Sequence, residues 1–506
     1  MRQHAKAFLG LLLIVGGAGA SEPKGKIVKE SWDAAFLDKG KAGYVHTVTR
    51  AIGSDEQPIL RTEMELDLTV KRFDDSVHLR MESGTEETEE GKVVAVFMKQ
   101  SLGKDQQLVV RGTVNGQKLD LQTQAAGNQV IKKTNPWNSK VIGLYRQERI
   151  FQDRQVKPGT RFSYLSYQPE VTTFIRTNVA VRDYEEVPVP GSSKKQRLLR
   201  VDETSDKIQG FQLPPLTLWL DEKLLPVRSQ VEIKGLGILT LHRTSEQLAR
   251  ARGGPIARVT DIGYTQLIPL NRRIEHPYDT KSAVYRITVT GDDEPATTFA
   301  HDGRQEVKTV DGNTFELHVR ANPKPEPKGS ATKIGDEFLE SCYFINSDDA
   351  RVQKLARSAV GDAVDPLDKA RRIERWVHQN MVNKNFTEAF ATSDHVARTL
   401  EGDCTEHAVL AAAMCRAVGV PSRAAVGLIY VDGRKPVMGF HMWAEAWVNG
   451  RWLPIDATLG RGHIGATHLK IADHSWYDTQ SLTPLLPALR VLGKVKIEVV
   501  RVDGSD

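Results

Sequence analysis

From about Trp32 to Leu248 the chain alternates between apolar and polar positions. "TEMELDLTVKRF", "SVHLRMES", "KVVAVFMKQSL", "QQLVVRGTV" and "QKLDLQTQ" are such runs, split by Gly, Asp and Asn. Successive side chains of a strand point to opposite faces, so a period of two marks a strand with one face covered. "LTLWLDEKLLPVRSQVEIKGLGILTLHRT" continues the pattern. The prediction is a large antiparallel meander curled over its own apolar face. "VPVPGSSKKQR" (Val187 to Arg197) reads as an exposed hairpin loop, and "EETEEG" from Glu86 as a solvated loop tip.

"ARGGP" (Ala251 to Pro255) reads as a boundary. A second β stretch follows, with "AVYRITVTG" and "TFELHVRA", and then "NPKPEPKGS" (Asn322 to Ser330), a stiff solvated spacer. Beyond it the period becomes helical. Ser347 and Asp348 can cap "DARVQKLARSAVG". Asp365-Pro366 places an N-cap before a proline at the first helical position of "LDKARRIERWVHQNM". Ala370, Ile373, Val377 and Met381 share one face of that helix. A short helix, "DHVARTL", leads to Gly402. The expected partition is residues 1–20 as a signal peptide, 21–252 as an antiparallel β-rich domain, 253–330 as a β-rich connecting segment and spacer, and 331–506 as the domain that carries the chemistry. The fold class is multidomain α+β.

Composition changes this picture at the N-terminus. "MRQHAK" is basic, "AFLGLLLIV" apolar, and "GGAGA" small-residue, with Ala18-Gly19-Ala20 fitting a signal-peptidase site before Ser21. Its apolar run is short for a membrane span. Cleavage would remove Arg2 and Lys6, taking the net charge from +5 to +3. That is close to neutral for 506 residues, and no basic face stands out, so nucleic acid is not an expected partner. An exported, periplasmic or extracellular protein usually pairs its thiols. This chain has three cysteines, so at least one stays free. Cys404 and Cys415 lie on one predicted helix about 16 Å apart, too far to bond each other. Cys342 could pair with either or with neither.

"GDCTEHAVLAAAMCRAVGVP" runs from Gly402 to Pro421. Asp403 followed by Glu406 is a capping-box start, which makes Cys404 the first helical residue. Gly419 and Pro421 end the helix. A thiol of ordinary pKa is only about 3% ionised at neutral pH. A helix N-terminus favours the anion, and its free N–H groups could hold a developing oxyanion. "FHMWAEAWVNGRWLPIDAT" (Phe440 to Thr458) has Asn449-Gly450 between two β-like runs, the signature of a type I′ hairpin. A two-residue loop sets Val448 against Arg451, Trp447 against Trp452 and Pro454 against Glu445. His441 and Asp456 then share one face as diagonal neighbours, within reach of a hydrogen bond. A nucleophile, a base and an orienting acid are the parts of thiol catalysis. An asparagine at 456 would keep a hydrogen-bonding group of the same size, so it is expected to be the mildest loss of the three.

The segment "GDCTEHAVLAAAMCRAVGVPSRAAVGLIY…FHMWAEAWVNGRWLPIDAT" resembles the transglutaminase-like superfamily within the papain-like thiol fold. The matching pieces are Cys404 at its helix start, "GVPSR" (Gly419 to Arg423), "HMWAE" (His441 to Glu445), and Trp452 with "DAT" (Asp456 to Thr458), with Ala457 where the family often has proline. The likeness covers roughly Phe338 to Leu482. It implies a papain-like or transglutaminase-like α+β core in a bacterial exported protein, with Cys404 as nucleophile, His441 as base and Asp456 as its orienting acid. It implies acyl transfer at amide bonds of a protein or peptide substrate, such as a cell-envelope peptide, by crosslinking or by hydrolysis. No cofactor is implied. His407 could form a C-x-x-H pair with Cys404, but His463, His468 and His474 lack standard zinc spacing, so a metal is not expected, and no EF-hand-like run suggests calcium. Glu445 stands too far along the strand from His441 to orient it and reads as a charge partner within the fold. The rival reading is a catalytically silent scaffold, or a binding protein whose β region takes lipid, glycan or protein. The β meander resembles the half-open barrels of periplasmic lipid carriers.

Overall fold

The structure, a computed structural model, describes residues 25–504 apart from 55, 74, 104–105, 126–129, 171, 189–192, 208–211, 252–260, 324–333, 387–389 and 478–482. The expected signal peptide, most of the "ARGGP" boundary, the tip of the Val187 to Arg197 loop and most of the Pro-rich spacer lie outside the described residues. The chain divides into two compact units, Met1–Ile262 and Gly263–Asp506.

The first unit is built on a 14-stranded sheet in which every pairing is antiparallel. Neighbours in the sheet are neighbours in the chain, as the alternation predicts. The exception is the first strand, Lys26–Leu37, which also pairs with the last, Gly237–Thr244, setting Trp32 against Thr244 and Leu37 against Leu239. One face is apolar. Along Gln57–Arg72 the buried positions are Leu60, Thr62, Met64, Leu66, Leu68 and Val70, a strict period of two. A helix, Leu144–Asp153, buries Ile150 and Phe151. Glu87 corrects the reading of "EETEEG" as a loop tip. It is fully buried in the strand Asp75–Thr88, and its carboxylate accepts the Tyr145 and Arg146 N–H groups that open this helix. An acid at a helix N-terminus satisfies donors that have no partner within the helix. Composition alone could not show that use.

Among the described residues the second unit combines four α-helices of seven or more residues with two sheets. The helices are Ala350–Val360, Pro366–Asn380, Ser393–Thr399 and Cys404–Ala417. Asp349 caps the first, one residue later than the predicted pair, and Asp365 caps the second ahead of Pro366. Ala370, Ile373, Val377 and Met381 are buried together, as their spacing predicts. A five-stranded sheet has Val437–Val448 beside Ser422–Val431, which pairs in turn with His468–His474. A four-stranded sheet places Ser282–Val289 between Thr314–Arg320 and the last strand, Val495–Asp503.

That four-stranded sheet changes the standing of residues 253–330. Read locally they connect two domains. In the structure Tyr285, Ile287, Phe315 and Leu317 share one core with Leu428, Tyr430, Met438 and Leu469. The strand Val495–Asp503 that binds them to the unit lies about 200 residues away, and pairing at that separation leaves no mark in a local pattern.

Candidate active site

The cysteine helix begins at Cys404, as its capping signature predicts. Asp403 accepts the Thr405 N–H at 2.8 Å, and Glu406 returns to accept the Asp403 N–H at 2.9 Å. Glu406 also accepts from the Ala391 N–H and the Thr405 hydroxyl, so it ties the helix start to the preceding loop. Burial, reinforced by Asp403, pushes the Glu406 carboxyl up to about 8. Gly402 has φ +130°, and a Cβ there would stand 2.4 Å from the Glu406 side chain, so only glycine admits this turn. From Ala408 to Cys415 the helix is buried all round, which anchors it, while Cys404 keeps intermediate exposure at its end. The Cys404 N–H has no acceptor among the described residues.

The hairpin has the predicted register: Glu445 faces Pro454, Trp447 faces Trp452 and Val448 faces Arg451. Asn449 and Gly450 have φ of +52° and +75°, the two positive values of a type I′ turn. The strand Arg451–Ile455 ends one residue before Asp456, which turns its carboxylate inward. His441 Nε2 lies 2.8 Å from Asp456 Oδ2. That leaves the other ring nitrogen for Cys404, which lies close enough to act on the His441 charge. Burial acts to lower the His441 pKa. The Asp456 carboxylate, and then the Cys404 group, outweigh it and raise it to about 10. His441 is therefore an imidazolium at neutral pH. Burial acts to raise Asp456, but His441 and then His468 hold it well below the ordinary carboxylate range. The structure thus brings together all three predicted residues.

It also adds a fourth. His468, fully buried, places Nε2 at 3.0 Å from the same Asp456 Oδ2. The other carboxylate oxygen accepts the Thr458 and Leu459 N–H groups at 3.0 and 3.3 Å. Burial lowers the His468 pKa to about 4, so it is neutral and donates. Its Nδ1 has no partner among the described residues. The Trp443 ring lies edge-on to His468 and stacked on His441. Sequence inspection weighed His468 only as a zinc ligand and missed this role. The signal was faint, because pairing of His468–His474 with Ser422–Val431 is what brings it under Asp456.

His441, Asp456 and His468 are also the one group of described residues whose donor atoms could enclose a metal ion. Their nitrogen–oxygen distances of 2.8 and 3.0 Å are those of direct hydrogen bonds. Ligands around a tetrahedral zinc stand about 3.3 Å apart, so the arrangement fits protons better than an ion. His407 turns Nδ1 onto the Asp403 carbonyl of its own helix, 2.6 Å away. Glu445 is buried against Lys470 at 3.1 Å and Arg423 at 2.7 Å, a charge partner within the fold as expected. Lys470 also pairs with Asp302 and Asp473. Cys342, Cys404 and Cys415 are all free thiols. Burial pushes Cys415 up to about 12, which makes it inert.

Residues 353–457 match the Transglutaminase-like superfamily. This segment is similar to the core of that family. The match takes in Cys404, His441 and Asp456, while His468 lies beyond it. Among solved structures the chain is similar to a candidate cysteine protease from Cytophaga hutchinsonii, at 18% identity over 45% of this chain and 84% of that one, with a TM-score of 0.27. It is also similar to a β-barrel-like protein of a domain of unknown function from Brucella abortus, at 11% identity over 44% and 98%, TM-score 0.31. A third is the periplasmic domain of TgpA from Pseudomonas aeruginosa, solved bound to ethylmercury, at 15% identity over 36% and 91%, TM-score 0.22. A comparison with curated proteins finds no match. No helix among the described residues is long and apolar enough to cross a membrane.

Proposed function

We propose that this protein is an exported thiol enzyme whose transglutaminase-like core performs acyl transfer at amide bonds through a Cys404 thioester. The observation that carries the reading is the buried His441–Asp456 hydrogen bond beside Cys404, with His441 held as an imidazolium. A cation beside a thiol at a helix N-terminus favours the thiolate, which is the reactive form. Export is supported by the basic, apolar and small-residue runs of the first twenty residues.

The chemistry follows from these positions. The Cys404 sulfur attacks the amide carbonyl carbon, forming a C–S bond and moving the π electrons onto oxygen. The unused Cys404 N–H can receive that oxyanion. The C–N bond then breaks, and the leaving nitrogen takes the proton of the His441 imidazolium. The neutral imidazole next removes a proton from water or from an amine, which attacks the thioester carbonyl. The C–S bond breaks, and thiolate and imidazolium are restored. Water as acceptor gives a peptidase or amidase, and a lysine side chain gives a crosslink. Asp456 keeps the imidazole ring aligned and its charge paired throughout.

The test is intact-mass spectrometry of the full chain quenched during reaction with glutamine-containing and cell-envelope peptides, with and without an added primary amine. An adduct on Cys404 that is absent from Cys404→Ala supports the reading. Its fate, acid or amide product, separates hydrolysis from transfer. Normal turnover by Cys404→Ala would defeat it.

A further inference from the structure

Beside the cysteine site, helix Pro366–Asn380 and the loop that follows Asp456 enclose a cleft of 470 Å³. Its polar lining is Arg371, Arg375, Arg461, His463 and Glu374. Arg371, Glu374 and Arg375 are three and four residues apart, so one helical face presents all of them. The loop is held close: the Gly460 N–H donates to the Asp456 carbonyl at 2.8 Å, and the Gly462 N–H donates to Glu374 Oε1 at 3.1 Å.

The charges do not balance within the protein. Arg461 and His463 are both committed to Asp279, at 3.0 Å each. Arg371 and Arg375 are exposed and make no hydrogen bond or ion pair with another described residue. Between them Glu374 is 1% exposed, and its Oε2 has no hydrogen-bond partner among the described residues. Burial raises the Glu374 carboxyl to about 7, so near neutrality it is substantially protonated and offers an O–H instead of a full second charge. Two unpaired guanidinium groups and a buried hydroxyl-like donor around one cleft select for an anion. A cation would meet like charge, and an apolar group would strand the donors. The guanidinium fork matches the spacing of oxygens in carboxylate and phosphate.

We propose that this cleft is a binding site for a small oxyanion, a carboxylate or phosphate group, gripped by Arg371 and Arg375. The site needs no thiol chemistry and stands apart from the function proposed above.

The experiment is calorimetric titration of inorganic phosphate into the full chain at low ionic strength. Saturable binding of one equivalent is expected. Arg371→Gln with Arg375→Gln should weaken it at least tenfold while the melting curve stays that of the wild type, since both side chains are exposed. Cys404→Ala should bind as the wild type does. Absence of saturable binding, or unchanged binding in the folded double variant, overturns the proposal. So does loss of binding in Cys404→Ala, which would put the anion at the thiol. The source of the anion is read by displacing phosphate with a short peptide bearing a free C-terminal carboxylate and with its amide. Displacement by the acid alone supports the site and names a peptide carboxylate as its ligand. Displacement by neither, with phosphate binding intact, supports it as a free-anion site.

Discussion

Asp456→Asn tests the site most sharply. Asparagine has the size of aspartate, and size alone suggests a mild effect. The structure reverses that expectation. Four N–H groups converge on the two oxygens of Asp456: His441 and His468 on Oδ2, Thr458 and Leu459 on Oδ1. Asparagine offers one oxygen and one NH2 group. Whichever end the NH2 takes, it meets two donors. A buried donor left unpaired costs about 1–3 kcal/mol. The charge matters more. His441 rises from 6.5 to about 10 against the effect of its burial, and Asp456 is the largest of the groups that raise it. At about 1.36 kcal/mol per pKa unit, the imidazolium is favoured by on the order of 5 kcal/mol. A folded pKa above the unfolded one contributes stability that is full below about pH 6.5 and is lost as pH rises through about 10. The wild type should therefore outlast Asp456→Asn most at about pH 6.5, and the gap should narrow towards pH 10. In the variant His441 is neutral at pH 7, and amide turnover should fall about 10²–10⁴-fold. The assay is the rate of Cys404 alkylation by iodoacetamide against pH, beside melting curves at each pH. If Asp456→Asn is alkylated with the wild-type rate and pH profile, Asp456 does not set the charge on His441 and the argument fails.

Cys404→Ala should abolish covalent labelling and turnover with a change in stability of under about 1 kcal/mol, since the side chain is half-exposed; circular dichroism melts and peptide mapping check both. His468→Ala should lower kcat roughly tenfold or more with KM unchanged, because it loosens Asp456 without touching substrate, and His468→Gln, which can still donate to Asp456 Oδ2, should recover much of the loss. The carboxyls of Glu374 and Glu406, raised by burial to about 7 and about 8, contribute stability that is present below 4.5 and lost as pH rises through those values. Together with His441, whose contribution falls over the same range, they should make the second unit melt lower at about pH 8.5 than at about pH 6.5; Glu406→Gln should reduce that slope without abolishing it, and an unchanged slope would assign it to His441. A chain starting at Gly263 should fold, whereas one starting at residue 331 lacks Tyr285, Ile287, Phe315 and Leu317. Each of those buried side chains is worth about 2–5 kcal/mol, so together they amount to about as much as a whole domain's typical stability of about 5–15 kcal/mol. Soluble expression and heteronuclear spectra of the two chains decide the matter.

What the sequence determined by itself was local. A period of two foretold the antiparallel meander of Lys26–Thr244, because alternation is a property of one strand and its covered face. Asp403 and Glu406 located the start of the cysteine helix, since a capping box is built within one turn. Asn449-Gly450 set a register that carried His441 and Asp456 onto one face, because a two-residue loop leaves the flanking strands no other pairing. Three of the four residues at the candidate site were legible for that reason. The fourth was not. His468 reaches Asp456 only through a strand pairing that its own neighbours do not encode. The same holds for residues 282–320, whose central strand is claimed by the last strand of the chain, and for Glu87, an acid in an acidic run that is buried by a helix nearly sixty residues later. The charge on His441 belongs to this second class. It is set by desolvation and by the carboxylate brought beside it, and both exist only once the chain has closed around them.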